Sequence, residues 1–340
     1  MTSRDIVHKA LRGEKTPRPA CGPLAVHFCA VDNGVSIRDF TLDSALHADC
    51  IIRYHEKYRP DAVWISADTW VTAEAMGASV NFPGNDQPMA GLQEGFVRSA
   101  ADIDKIPKPD PHIQGRQPLM LEALSRVVEA LGKEVFVVGC FDQSPFSLAC
   151  QVAGITSVMT KLNRDFPFLE GLMEKCLEYS LAYAKAMAAC GADMLSTGDS
   201  PAGMIGPTHY ADIVAPFEKR LFSELKKTGK VLSLHICGDS TGLLEDMAAT
   251  GADVLEIDHQ VSIGRALKKA CDRVALWGNI DPVTVLLQGS NREVSCSVRG
   301  LISEVKDAGC RKFVLSSGCT LAPTTPSANL HAFIRESRSW

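Results

Sequence analysis

Several classes of protein are excluded by what this 340-residue sequence lacks. Its 35 lysines and arginines are outnumbered by 40 aspartates and glutamates, so there is no excess of positive charge. Nucleic-acid-binding surfaces are basic and clustered, and we therefore expect no nucleic acid as a partner. No apolar run approaches the roughly 18 uncharged residues that a membrane-spanning helix needs. The first ten residues also lack the apolar stretch of a signal peptide, so we expect a cytoplasmic protein without a membrane partner.

Twelve cysteines are present. Disulfide frameworks are typical of short secreted proteins, whereas these cysteines are scattered through a long chain that shows no export signal. Most are expected in helices or at helix ends, where a free cysteine behaves as a small buried hydrophobic residue. They are Cys50, Cys150, Cys176, Cys190, Cys271, Cys296 and Cys310.

Short apolar, β-branched runs alternate with longer amphipathic stretches along the chain. Near-continuous apolar runs are typical of strands that are buried on both faces, as in a parallel sheet. Eight such runs predict strands: 21–28, 61–68, 135–142, 193–199, 230–237, 253–258, 274–281 and 313–319. Helical periodicity lies between them, for example at 168–189 and 213–227, and residues 1–19 predict a short preceding helix.

A weak internal repeat supports this alternation. Cys190-Gly-Ala-Asp-Met-Leu195 and Thr250-Gly-Ala-Asp-Val-Leu255 are near copies, and each predicts a helix that ends at glycine and leads directly into a strand. Repeated joints of this kind indicate repeated βα units. No glycine-rich phosphate-binding motif follows the first run, which favours a closed barrel over a doubly wound sheet. We therefore predict an α/β protein: one (β/α)8 TIM-barrel domain over residues 1–340, with a short N-terminal helical extension.

A proline- and glycine-rich stretch at 81–117 follows the second predicted strand. It predicts a long loop on the active face of the barrel. A lid, a docking surface and a passive insertion are all compatible with its composition.

Barrel active sites form at the carboxyl ends of the strands. Most of the predicted strand ends here carry ionisable or metal-binding side chains, although an aspartate at such a position is also a common helix cap. These residues are Asp68, Asp142, Asp199, His235, Cys237, Asp258, His259, Asp281 and Cys319.

The segment His235-Ile-Cys-Gly238 is the most specific of these strand ends. Residues i and i+2 of a strand point to the same side, and Cys319 offers a further sulfur at the end of the eighth strand. Zinc favours imidazole and thiolate ligands, and catalytic zinc sites hold three protein ligands and leave one position open. From their spacing alone, these residues could form a metal site or could be ordinary polar residues. Placement at two strand ends favours the metal site.

Longer segments around these residues resemble a known family. They are Leu234–Asp253, which contains the His-x-Cys-Gly motif, Trp277–Leu287, and Leu315–Pro326, which contains Ser-x-Gly-Cys. All three resemble the corrinoid-dependent methyltransferases of the uroporphyrinogen decarboxylase superfamily. The similarity runs from about residue 5 to about residue 335 and is densest after residue 190.

The resemblance implies a zinc ion held by His235, Cys237 and Cys319. It also implies transfer of a methyl group between a small methylated compound or a thiol and the cobalt of a corrinoid. We expect that corrinoid to be carried by a partner protein. Zinc can ionise a bound thiol or draw electron density from an ether oxygen, so either direction of transfer is open, as is the identity of the small substrate.

Two acidic groups are compatible with a fourth, displaceable position on the metal. Glu74 lies in Glu-Ala-Met-Gly77, a segment that also looks like part of the family pattern, and this favours Glu74 over Asp68. Asp68 could instead cap a turn or bind His235 as a hydrogen-bond partner. We expect Asp68, Asp142 and Asp199 to be polar catalytic groups around the substrate.

Two other functions remain as alternatives. The decarboxylase branch of the superfamily has the same fold and needs no metal, but it carries an arginine-rich N-terminal segment that grips substrate carboxylates. The corresponding stretch here, Gly22–Cys29, contains no arginine, which argues against decarboxylation of a tetrapyrrole. A non-catalytic barrel that binds a corrinoid or a tetrapyrrole is the second alternative.

Overall fold

A computed structural model describes residues 1–83, 86–91 and 95–339. Residues 84–85 and 92–94 of the predicted loop, and residue 340 of the predicted domain, lie outside the described residues.

Eight parallel strands form the central sheet in the order β1-β8-β7-β6-β5-β4-β3-β2. A backbone hydrogen bond of 2.7 Å from Asp61 N, just before β2, to Cys21 O in β1 joins the two ends of the sheet. The predicted (β/α)8 TIM barrel is therefore confirmed. The strands are β1 Ala20–Cys21, β2 Ala62–Ile65, β3 Phe136–Gln143, β4 Met194–Gly198, β5 Val231–His235, β6 Val254–Glu256, β7 Ala275–Ile280 and β8 Phe313–Ser317.

The prediction for the first strand is wrong in its extent. The strand covers only Ala20–Cys21, and a helix begins at His27. Pro23 has no backbone N–H and cannot extend a ladder of hydrogen bonds. Gly22 passes so close to Trp277 that a Cβ atom there would lie 2.6 Å from the indole ring. The chain therefore leaves the barrel here, and His27 packs in a helix with its Nε2 atom 2.5 Å from Ala67 O.

Helices surround the barrel and cover its outer face. The α-helices are α1 Ser3–Leu11, α2 His27–Asp32, α3 Ile37–Leu42, α4 Ser44–Tyr58, α5 Val71–Ala75, α6 Ala100–Ile103, α7 Gln117–Leu131, α8 Pro145–Ala153, α9 Ile155–Arg164, α10 Phe166–Ala189, α11 Gly206–His209, α12 Ala215–Leu225, α13 Leu244–Ala248, α14 Ile263–Ala270, α15 Asn291–Asp307 and α16 Ser327–Ser337. Short 3₁₀ turns occupy Ser200–Met204 and Lys226–Thr228, and π-helical turns occupy Tyr210–Val214 and Pro282–Leu287. No helix among the described residues meets the length and apolarity needed to cross a membrane.

Helix α1 closes the amino-terminal end of the barrel, opposite the strand ends that carry the polar side chains. Its apolar face, with Ile6 and Val7, packs with Trp64 and Trp277 in a core inside the barrel. The helix begins with a capping box between Thr2 and Asp5, which satisfies two of its free backbone N–H groups. The barrel is thus filled at one end, and the other end remains for a functional site.

The cysteines outside the strand-end cluster are mostly buried. Cys50, Cys150, Cys176 and Cys310 are buried, Cys190 and Cys271 are partly buried, and Cys296 is exposed on α15. All twelve cysteines of the chain are free thiols, as a core role predicts.

Candidate metal centre and active site

Four side chains converge at the carboxyl end of the barrel. His235 ends β5 and Cys237 follows it by two residues, Asp258 lies two residues beyond β6, and Cys319 lies two residues beyond β8. One donor atom from each lies within 4.8 Å of a donor atom from every other. Parallel strands bring their carboxyl ends to one face of a barrel, so residues that are 84 positions apart in sequence meet here.

The imidazole of His235 is oriented toward the two thiols. Its Nδ1 atom lies 3.0 Å from Glu256 O, and a carbonyl only accepts, so Nδ1 carries the proton and donates. The other ring nitrogen, Nε2, lies 3.2 Å from Cys237 Sγ. Histidines that ligate metals usually donate their other ring nitrogen in this way.

The Asp258 carboxylate is held by backbone donors. Gly238 N donates to its Oδ2 atom at 3.0 Å, and Gln260 N donates to its Oδ1 atom at 2.8 Å. Sequence reasoning placed Asp258 at a strand end but did not include it among the metal ligands. Its direction depends on the turn after β6, and the residue pattern carries no signal for that turn.

The thiols of the cluster titrate unequally. A hydrogen bond from Cys319, assisted by one of 3.0 Å from the Ser200 hydroxyl, lowers the pKa of Cys237 to about 7. The neighbouring Cys237 sulfur and burial together raise the pKa of Cys319. Two thiolates and a carboxylate at this separation repel one another, and a divalent cation would neutralise them. Two sulfurs, one imidazole nitrogen and one carboxylate oxygen are also ligands that suit zinc, so the residues present fit the metal.

Gly318 allows Cys319 to approach the β6 end. A Cβ atom at residue 318 would lie 2.3 Å from His259 N and 2.8 Å from His259 Cα. Any larger residue would force apart the two turns that carry Cys319 and Asp258. The glycine of the Ser-x-Gly-Cys motif therefore has a steric role in assembling the cluster.

Asp68 and Glu74 do not lie in this cluster. Arg116 donates to both Asp68 carboxylate oxygens, at 2.5 and 3.1 Å, and to Glu74 Oε2 at 2.7 Å. Asp68 also caps the following turn, since it accepts from Trp70 N at 2.8 Å. Arg116 is only 5% exposed and its guanidinium packs over the Phe82 ring. Sequence reasoning missed Arg116, because a residue 48 positions from Asp68 in a loop gives no periodic signal.

Asp142 lies at the end of β3 in a buried, left-handed backbone conformation with φ of 67°. Its Oδ2 atom has no hydrogen-bond partner among the described residues. Burial, together with the nearby Asp68 carboxylate, raises the pKa of Asp142 well above its usual range. Both effects favour the neutral form of this carboxyl group.

Asp199 belongs to a fully buried pair of acids. It accepts from the Ser147 hydroxyl at 2.8 Å, and it faces Glu218 of α12, which accepts from the Tyr210 hydroxyl at 2.6 Å. Within the described part of the chain, Asp199 Oδ2 and Glu218 Oε1 have no donor partner. One proton shared between the two carboxyls would satisfy both atoms. Burial raises the pKa of Asp199 to about 7, and burial with the Asp199 charge raises that of Glu218 well above its usual range.

This acid pair makes stability depend on pH. A carboxyl whose folded-state pKa is raised retains its proton after the unfolded chain has lost it, so the free energy of unfolding falls as pH rises. The decrease starts near the ordinary carboxyl pKa of about 4 and continues through about 7, the pKa of Asp199. The side-chain amide of the Glu218→Gln variant is a permanent hydrogen-bond donor to Asp199. We therefore expect its free energy of unfolding, measured by urea denaturation, to change less between about pH 5 and pH 8 than that of the wild type. The exposed Glu129→Gln variant on α7 should follow the wild-type profile; equal profiles for all three proteins would contradict the shared proton.

A cavity of about 1090 Å³ opens beside the cluster. Ser200, which donates to Cys237, contributes to its lining, and so do Ser147 and Trp70. Trp70 lines this cavity, whereas Trp64 and Trp277 pack in the core inside the barrel. Chemically reactive thiols and a ligand-sized cavity thus meet at one face of the barrel.

Together, this fold and cluster define a TIM-barrel protein with a thiolate-rich candidate metal centre. The family model described as Uroporphyrinogen decarboxylase (URO-D) matches residues 2–340. A methylcobamide:CoM methyltransferase of Methanosarcina mazei is 30% identical over 282 residues, which is 82% of this chain and 80% of that protein. A uroporphyrinogen decarboxylase of Synechococcus sp. is 26% identical over 99% of this chain and 97% of its own. The solved structure of a methyltransferase from Methanosarcina mazei, 24% identical, superposes with a TM-score of 0.88 over 99% of this chain and 98% of that one, and shows the same fold.

The chain therefore belongs to the uroporphyrinogen decarboxylase family. Its relatives in that family are methyltransferase and decarboxylase enzymes, and its similarity to the corrinoid-dependent methyltransferases, expected from the sequence motifs, is confirmed.

Proposed function

We propose that this enzyme is a zinc-dependent methyltransferase. It would move a methyl group between a small methylated substrate, either a methoxy compound or a thiol, and the cobalt of a corrinoid protein. The observation that carries the proposal is the convergence of His235, Cys237, Cys319 and Asp258 at the barrel mouth. The similarity to methylcobamide:CoM methyltransferases supports it. We also propose that the single barrel domain carries the whole activity. A cytoplasmic location remains a prediction from the sequence.

In this proposal His235, Cys237 and Cys319 hold the metal. Bound zinc would supply Lewis acidity to a substrate thiol or ether oxygen. Glu74 was predicted as a displaceable fourth ligand, but its carboxylate pairs with Arg116, whereas Asp258 lies within the cluster. We therefore propose Asp258 for the fourth position, where an incoming substrate would displace it.

The predicted catalytic aspartates would act around the substrate rather than on the metal. Asp199 lies one hydrogen bond from the cavity, through the Ser147 hydroxyl. That hydroxyl would relay a proton between the acid pair and a substrate group in the cavity. Asp68 would act through Arg116, which it holds at the barrel mouth. Asp142 is buried and its raised pKa favours the protonated form, which would donate a hydrogen bond to the substrate.

One segment bears on where the corrinoid is held. Asp110-Pro-His-Ile-Gln-Gly115 has the Asp-x-His-x-x-Gly spacing that is associated with cobalamin binding. In the structure, Asp110 Oδ1 instead accepts from the backbone N–H of His112 at 3.0 Å, and the Gln114 side chain accepts from Asp110 N at 2.8 Å. These contacts build a turn before α7. We therefore retain the proposal of a partner corrinoid protein, and His112→Ala should transfer methyl groups to free cobalamin at the wild-type rate.

A methyl-transfer assay with free cobalamin tests the proposed function. Purified protein is incubated with cob(I)alamin and methylated compounds, or with methylcobalamin and thiols, and the cobalt spectrum is followed. We expect a substrate-dependent conversion between the two cobalamin forms. Formation of coproporphyrinogen from uroporphyrinogen would instead establish the decarboxylase alternative. Tight tetrapyrrole binding without turnover of any methyl compound would establish the non-catalytic one.

A further inference from the structure

A hydroxyl group lies between the cavity and one thiol of the cluster. Ser200 Oγ donates a hydrogen bond of 3.0 Å to Cys237 Sγ. The same residue contributes to the cavity lining, so it borders the open space on one side and the sulfur on the other. A methyl group that approaches Cys237 from this cavity therefore meets Ser200 first.

Backbone contacts hold this hydroxyl in place. The residue before it, Asp199, donates its backbone N–H to His235 O at 2.8 Å, which ties the end of β4 to the end of β5. Ser200 then begins a 3₁₀ turn that ends at residue 204. A Cβ atom at Gly203 in this turn would lie 3.2 Å from Cys237 O, so the turn packs directly on the segment that carries the thiol. The position of the hydroxyl is thus fixed relative to the sulfur.

Methyl transfer exposes the thiolates of the protein to a side reaction. A cysteine thiolate is a nucleophile, and it can attack the carbon of an electrophilic methyl donor. A sulfur lone pair then forms the new S–C bond, the bond from carbon to the leaving group breaks, and the leaving group departs with that electron pair. The product is an uncharged thioether in place of the thiolate that binds a metal. One such event at Cys237 would therefore weaken the metal centre.

The hydrogen bond from Ser200 opposes this reaction. A hydroxyl that donates to an anionic sulfur forms a charge-assisted bond, which is stronger than a bond between neutral groups. The bond also occupies one of the sulfur lone pairs, so part of this stabilisation is lost when the sulfur attacks a carbon. Thiolates whose charge is stabilised are weaker nucleophiles. The contact therefore favours Cys237 as a ligand over Cys237 as a methyl acceptor.

We propose that Ser200 protects Cys237 from methylation while a methyl group passes through the site. Ser200 would be a positioning residue, because it acts through the ligand sulfur that its hydroxyl holds. It would also contribute to specificity, since it directs the methyl group away from the sulfur of the protein. The inference rests on the proposed function, because it concerns a thiol that would hold zinc during methyl transfer.

Two variants of equal shape separate the hydroxyl from the space that it fills. Ser200→Thr keeps a hydroxyl, whereas Ser200→Val has the same branched shape without a donor. The zinc-loaded wild type and both variants are treated with methyl iodide, and methylation of each cysteine is followed by peptide mass spectrometry. We expect methylation of Cys237 to be about fivefold faster in Ser200→Val than in the wild type, since part of one hydrogen bond to a charged group is lost. Ser200→Thr should stay close to the wild-type rate.

Two further readouts belong to the same experiment. Zinc release, detected with a chromogenic chelator, should rise in Ser200→Val in step with methylation of Cys237. The exposed thiol of Cys296 serves as the internal reference and should react at one rate in all three proteins.

Equal methylation of Cys237 in Ser200→Thr and Ser200→Val would overturn the inference, because a purely steric or structural role does not distinguish these variants. The proposed function is judged separately. If the wild type binds zinc and transfers methyl groups while the two variants are methylated alike, the function stands and the inference fails. If the protein binds no zinc, yet the free Cys237 thiol is methylated faster in Ser200→Val than in Ser200→Thr, the zinc proposal fails and the protective role of Ser200 stands.

Discussion

Replacing Cys237 with serine is expected to abolish stoichiometric zinc binding and to lower the rate of methyl transfer about a thousandfold. Loss of the metal removes several kcal/mol of charge stabilisation, and about 4 kcal/mol corresponds to three powers of ten in rate. Cys237 is the cluster thiol whose pKa is lowered, to about 7, and it is therefore the first sulfur available to bind a cation. Cys319→Ser should have the same effect, because both sulfurs belong to one set of donors.

Metal content measured by mass spectrometry, with activity on the same preparations, checks this expectation. Cys296→Ser is the matched control, since that thiol is exposed on α15 and does not belong to the four-residue cluster. Asp258→Asn keeps the size of the side chain but removes its charge, so it should reduce zinc affinity less than the loss of a sulfur does. A wild-type protein that is metal-free and fully active would refute the zinc proposal.

Arg116→Met is expected to lower the free energy of unfolding by about 3–5 kcal/mol, the usual cost of removing one partner from a buried ion pair. The Asp68 side chain is 2% exposed and the Arg116 side chain 6% exposed. Removal of the guanidinium therefore leaves the Asp68 charge buried, with the Asp142 carboxyl close by. Glu74 would lose the same partner, but it is partly exposed and water can solvate it.

Urea denaturation measures this effect, and Arg126→Met provides the control. Arg126 pairs with Glu122 on the exposed face of α7. Exposed ion pairs contribute little to stability, so the urea midpoint of the Arg126→Met variant should be close to that of the wild type. Adding Asp68→Asn to Arg116→Met should recover part of the lost stability, because the unpaired charge is then gone. An Arg116→Met protein as stable as Arg126→Met would show that the buried pair contributes nothing.

The barrel could be predicted because its signal is local and repeated. Strands such as β3 and β8 are buried on both faces, and this requirement appears in the sequence as unbroken apolar runs. The prediction failed for the first strand, where Gly22 and Pro23 end the pairing although the apolar run continues. An apolar run records burial, and burial alone does not distinguish a strand from the buried helix at His27.

The candidate site could be predicted only in part, for a related reason. His235 and Cys237 are two residues apart within one predicted strand, so the geometry of an extended chain was enough to place them on one side. Cys319 could be added because parallel strands share one carboxyl face. Turns and helices place Asp258, Arg116 and Glu218 beside their partners. Those placements depend on contacts with residues that are distant in the sequence, so a local sequence pattern does not predict them.

The sequence by itself determined the barrel and placed His235, Cys237 and Cys319 together at the carboxyl ends of its strands. All of these follow from periodicity and from strand ends, which are properties of short segments. Only the tertiary structure decided that Asp258, rather than Glu74, lies beside the thiols, that Arg116 pairs with Asp68, and that Asp199 faces Glu218. Those pairings depend on distances of a few ångströms between residues far apart in the chain, and electrostatic interactions of buried groups are set by such distances.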